Sequence, residues 1–159
     1  MDLRSKKVLV FGAGKSGIGA ADLLGSVGAQ PVIYDGNADL DKEAVLHKTN
    51  GKYQPEIWAG DFPEGEIDSL DLVVLSPGVP TDLPLVKKFY EKGLPVWSEV
   101  ELAYRTGKGE VLAITGTNGK TTTTALLGKI MGDARESAFV VGNIGTAYTS
   151  KSLEMRMIL

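Results

Sequence analysis

The chain has 159 residues, enough for one domain and part of a second. It is 43% hydrophobic and 23% charged, the balance of an ordinary globular protein, and a net charge of −3 offers no footprint for nucleic acid. The absence of cysteine excludes disulfides, zinc-thiolate sites and thiol nucleophiles and suits a cytoplasmic protein, while no apolar stretch approaches the roughly 20 residues of a membrane span.

Residues 7–11, KVLVF, read as a short buried strand that Gly12 ends. The run meets glycines too soon to be the core of a signal peptide. A helix is expected over 16–28, with Ile18, Ala21 and Leu24 near helical spacing and Gly28 at its end. A second strand, 31–34, leads into Asp35; a short helix over 40–48 and a strand over 57–59 follow. The continuous apolar run 72–75 reads as a central parallel strand, broken by Ser76-Pro77-Gly78. A helix over 85–92 stops at Gly93, and 95–97 is another short strand. Ser98 caps a helix through about residue 105, with Glu101 as its capping-box partner. The polar, glycine-containing stretch TGKGE marks a linker at 106–110. The pattern then restarts: a strand at 111–114, a loop at 115–121, a helix over 122–131 and a strand at 138–141. Alternating strands and helices imply an α/β fold with parallel sheets. The expected organisation is a Rossmann-like domain over 1–108, followed over 109–159 by the beginning of a P-loop ATPase domain.

Two loops carry chemistry. Gly12, Gly14 and Gly17 form G-x-G-x-x-G between a strand and a helix, the phosphate-binding turn of dinucleotide folds. Asp35, at the end of the second strand, stands where an acidic residue commonly meets a ribose. Taken alone, this loop also fits an NAD-dependent oxidoreductase, or a tight turn without a ligand. The second loop, in AITGTNGKTTTT, places Gly116, Thr117, Asn118 and Gly119 ahead of Lys120, Thr121 and Thr122. Backbone N–H groups there can wrap an anion at a helix N-terminus. Lys120 can reach the β- and γ-phosphates of ATP, and the Thr121 hydroxyl can meet Mg²⁺. The loop is a variant, since Gly116 and Gly119 are closer together than in the usual pattern and Ile114 stands where the earlier glycine is expected. A nucleotide-binding module without catalysis remains open on these residues.

The stretches VLVFGAGKSG, VVLSPGVP, SEVELAYR, AITGTNGKTTTT and VGNIG together resemble the Mur ligase family, ATP-dependent amide ligases of peptidoglycan precursor synthesis. The resemblance is strongest to the D-glutamate-adding branch. It implies that the first loop holds the UDP part of the substrate rather than a nicotinamide. The substrate contacts it implies are Gly14, Lys15, Ser16, Gly17, Asp35, Gly36, Ser76, Pro77, Gly78 and Asn143, with Asn37 and Val79 nearby. It further implies that ATP phosphorylates the alanyl carboxylate of UDP-N-acetylmuramoyl-L-alanine and that the amine of D-glutamate attacks the acyl phosphate. Lys120 and Thr121 are then the catalytic pair, and Thr121 the Mg²⁺ ligand.

The family's later metal-binding glutamate, histidine and carbamylated lysine, and its third domain, have no counterpart in this sequence. Asp133, Glu136 and Glu154 lie in no matching motif, and His47 reads as a surface residue. The chain is therefore expected to be an N-terminal portion, inactive alone. Its incomplete second domain is expected to dock on the first, associate with another copy or be poorly ordered, because one strand–helix–strand unit cannot cover a sheet.

Overall fold

The computed structural model describes residues 1–107, 110–134, 138–142 and 147–157. Its strands are short apolar runs that, once extended, send alternate side chains to opposite faces. In β1 (Lys7–Phe11), Val8 and Val10 join one core while Leu9 and Phe11 join another. β2 (Gln30–Asp35), β3 (Glu56–Ala59), β4 (Leu72–Leu75) and β5 (Val96–Ser98) complete a parallel sheet in the order β3-β2-β1-β4-β5. β1 is central, with Val10 level with Ile33 on one side and Val74 on the other. β4 is apolar at every position and β1 at all but Lys7, as suits central strands of a sheet covered on both faces.

The first face is covered by α1 (Lys15–Ser26), α2 (Lys42–Lys48), and two later helices. α1 contributes Ala20, Ala21, Leu23 and Leu24, and α2 contributes Val45. The second face is covered by a 3-10 helix (Glu64–Ser69) and α3 (Pro84–Glu91), through Ile67, Val86 and Phe89. Phe62 packs edge-on against Tyr34, Trp58 and Phe89 and closes that side. The 3-10 helix is not evident from the sequence, where its stretch carries no apolar periodicity.

α4 (Glu99–Thr106) starts as expected: Ser98 Oγ accepts the Glu101 N–H at 3.1 Å. The reciprocal half of the capping box does not form, because the Glu101 carboxylate pairs instead with Arg105 at 2.8 Å, one turn on.

The second half departs from expectation. α5 (Lys120–Ala134) forms, but no residue in it is buried. Residues 110–115 are neither helix nor strand, and over 138–141 only an isolated bridge occurs, at Val141. The expected strands are absent because a strand needs a neighbour to satisfy its backbone groups. Residues 111–114 have no strand pairing among the described residues, and Val111 and Leu112 are exposed. A helix closes its own hydrogen bonds and forms regardless. α6 (Tyr148–Met157), which the sequence reading did not foresee, packs on α1 and α4 and places Tyr148 in the first core. Of the three fates expected for this region, docking on the first domain is the one α6 takes. The linker residues 108–109 lie outside the described set.

Candidate functional site

In this strand order the chain reverses direction across the sheet between β1 and β4. Loops leaving two such strands diverge and open a crevice at their carboxyl ends. A cleft of about 510 Å³ lies there, lined by the glycine turn after β1, the 76–80 turn after β4, and Asp35 at the end of β2.

The glycine turn is built by close approach. Gly12 has φ +108, a left-handed conformation that a side chain would strain. Its N–H donates to Tyr34 O at 2.7 Å, continuing the pairing of β1 with β2. Gly17 lets α1 press onto the strand end, since a Cβ there would stand 1.8 Å from Gly12 O. Gly14 is the N-cap of α1, with no side-chain cap and no acidic residue in the first turn. The first N–H groups of such a helix lack intrahelical acceptors and carry the positive end of its dipole. Lys15, exposed at the first helical position, adds a full positive charge beside them. This corner of the cleft is arranged for an anion.

Asp35 braces the turn from below. Its Oδ2 accepts the Ala13 N–H at 2.9 Å and its Oδ1 the Asn37 N–H at 3.0 Å. A carboxylate has about four acceptor positions, so two remain for a ligand hydroxyl. Ser76 is held across the cleft: its N–H donates to Phe11 O at 3.0 Å, and its hydroxyl donates to Gly12 O at 3.4 Å. The Val79 N–H closes the turn onto Ser76 O. The Tyr34 phenol, next to Asp35, is pushed up by burial and then by the charges of Asp61 and Asp35; it donates to Gly60 O at 3.0 Å.

The fold thus brings Gly14, Lys15, Ser16, Gly17, Asp35, Ser76, Pro77 and Gly78 to one cleft. Gly36 is exposed and does not line it, and Asn143 lies outside the described residues. Phe11, Pro80 and Leu83 form an apolar wall that the motif reading missed. Pro80 and Leu83 follow the SPG break and Phe11 ends β1, but nothing local shows which way they face.

None of residues 116–122 lines this cleft. They form a separate exposed loop that opens α5. The Lys120 ammonium turns back onto its own loop, donating to Gly116 O and, at 3.2 Å, to Thr117 O. The Thr121 hydroxyl is exposed in the first turn of α5, as is that of Thr122. Among the described residues no group of three or more acidic or histidine side chains converges to hold a metal. The donor set fits a Mg²⁺ held mainly by phosphate oxygens and water, with one protein hydroxyl. His47 is exposed near the end of α2.

Residues 6–98 match the family described as Mur ligase MurD-like, N-terminal domain. The chain belongs to the MurD-like Mur ligase family. It is 54% identical over 154 residues to the UDP-N-acetylmuramoylalanine–D-glutamate ligase of Lachnospira eligens, covering 97% of this chain and 34% of that protein. It is 52% identical over 149 residues to the ligase of the same name from Lachnoclostridium phytofermentans, covering 94% and 33%. The chain spans about a third of the length of these curated relatives. Among solved structures, the murein peptide ligase Mpl of Psychrobacter arcticus matches with a TM-score of 0.54 at 23% identity, over 81% of this chain and 27% of that one. A pseudomurein peptide ligase type C from Methanothermus fervidus matches with 0.53 at 23%, over 81% and 26%. These two share the MurD-like chain's fold. No helix among the described residues is long and apolar enough to cross a membrane.

Proposed function

We propose that this chain is the UDP-substrate-binding unit and nucleotide loop of a ligase that adds D-glutamate to UDP-N-acetylmuramoyl-L-alanine at the expense of ATP, in the cytoplasm. The observation that carries this reading is the anion-ready cleft at the β1/β4 crevice in a chain of the MurD-like family. The α1 N-terminus, Lys15 and Ser16 receive the diphosphate. Asp35 offers its remaining lone pairs to the ribose or uracil, and Phe11, Pro80 and Leu83 supply an apolar surface for the base. The family resemblance adds Gly36, which stands outside the cleft lining, and Asn143.

At the second loop, Gly116, Thr117, Asn118, Gly119 and Thr122 surround the phosphates. Lys120 leaves its own loop carbonyls and offsets the charge that builds on the transferring phosphoryl group. Thr121 holds Mg²⁺, which neutralises the phosphate oxygens when bound. An oxidoreductase reading leaves the Lys120 loop and the family match without a role. The residues gathered here bind and orient phosphates but offer no group for the incoming amine, so binding without turnover is expected of the 159-residue chain.

Separate calorimetric titrations with UDP, NAD and ATP-Mg test the reading. UDP binding without NAD binding supports it; NAD binding without UDP binding overturns it. Steady phosphate release from the chain alone, given substrate, D-glutamate and ATP-Mg, overturns the expectation of no turnover.

A further inference from the structure

The second residue of α6, Thr149, is fully buried. One oxygen of the Glu99 carboxylate, Oε1, accepts both the Thr149 N–H at 3.2 Å and its hydroxyl at 2.7 Å. Glu99 is itself only 6% exposed, at the first position of α4. A carboxylate at that depth is costly unless donors and positive charge meet it. The start of α6 supplies both, since the first N–H groups of a helix are unpaired within it and carry the positive end of its dipole. Glu99 thus caps α6 from a different helix, as Ser98 caps α4 from within its own segment.

α1 forms the third side of this junction. A Cβ added at Gly19 would stand 2.9 Å from Thr149 Oγ1 and 3.1 Å from Ser150 Oγ, so the backbone of α1 at Gly19 meets the Thr149 and Ser150 side chains of α6 with no side chain of its own to intervene. Gly19 lies one turn into the helix whose first residues, 15–17, line the cleft. Any shift of α6 therefore bears directly on the first turn of α1.

We propose that Glu99 is a positioning residue for the cleft: by clasping α6 onto α1 it fixes the helix start that receives the anion. The effect on UDP rests on reading the cleft as a UDP-substrate site; the effect on α1 does not.

The test uses the full chain as wild type, Glu99→Ala, Glu99→Gln and Thr149→Val. Hydrogen exchange is followed without ligand, and UDP affinity is measured by calorimetry. Glu99→Ala and Thr149→Val are expected to lose protection in α6 and in the first turn of α1, while β1 and β4 keep theirs. UDP binding is expected to weaken about tenfold in Glu99→Ala, on the scale of one lost hydrogen bond to a charged group. Glu99→Gln keeps an acceptor oxygen in place and recovers most of both readouts. Loss of protection confined to α6, with the first turn of α1 unchanged, overturns the proposal. Should wild type bind no UDP while α1 protection still follows Glu99, the clasp stands and the UDP reading falls. If Glu99→Ala does not fold, Thr149→Val gives the same two readouts.

Discussion

Gly14 and Gly17 stand three residues apart in one motif and answer to different constraints. Gly14 has φ −73 and ψ −178, open to any residue, and a Cβ there meets nothing within 4 Å. Gly14→Val is expected to melt near wild type while its methyls occupy the anion corner and weaken UDP binding tenfold or more, about 1.4 kcal/mol. At Gly17 the added Cβ collides with backbone that cannot retreat, so Gly17→Ala is expected to lose roughly 3 kcal/mol in a urea melt. A second residue-scale case is Asp22, 9% exposed in α1, whose carboxylate accepts the Asn50 N–H at 3.2 Å. Burial pushes its pKa above the ordinary 3.8, and the Asn50 N–H only partly opposes this. The folded chain then holds the proton more tightly than the unfolded chain does. That contribution is full below pH 3.8 and is lost as the pH rises through the raised value. Asp22→Asn removes the charge and keeps an acceptor, so its melting temperature is expected above wild type at neutral pH, with the gap closing in acid.

At the scale of elements, the three helices of the junction are held unequally. α1 and α4 lie on the sheet through Leu23, Leu24 and Leu102, whereas α6 docks mainly on other helices. One of its contacts is imperfect: Ser152 is fully buried, and its hydroxyl has no hydrogen-bond partner among the described residues. Replacing a buried unpaired hydroxyl with a methyl removes a desolvation cost. Ser152→Ala is expected to stabilise the chain by about 1 kcal/mol, read from paired denaturant curves. A loss of stability of that size would show that the hydroxyl has a partner in solution.

Across the whole molecule, the two loops belong to different surroundings. The glycine turn is embedded in a sheet buried on both sides, and the Lys120 loop opens an exposed helix. Their ligands are therefore expected to respond separately. Lys120→Ala should weaken ATP-Mg binding at least tenfold and leave UDP within about twofold, since it removes a charge at one site only. Equal losses for both ligands would count against two sites. The exposed half also has a colloidal consequence. Val111, Leu112, Leu126 and Ile130 are 46–60% exposed, apolar surface that water solvates poorly. Self-association that grows with concentration is expected in sedimentation runs, and Leu126→Lys with Ile130→Lys should reduce it.

The sequence by itself determined what depends on neighbours in the chain. Strand β1, the glycine turn, the start of α1 and the Ser98 cap follow from apolar runs, missing side chains and a hydroxyl three residues from its donor. Lys120 opening a helix follows likewise. Only the tertiary structure decided what depends on residues far apart. It set Ser76 against Gly12, 64 positions away, turned Phe11, Pro80 and Leu83 into a wall, and gave Asp35 a structural duty beside its expected one. It also left 111–114 without strand partners and seated α6 on Glu99, 50 positions before Thr149. The division has a physical reason. A helix or tight turn satisfies its backbone within a few residues, whereas a strand, a cleft wall or a buried carboxylate is stable only when the rest of the chain brings it a partner.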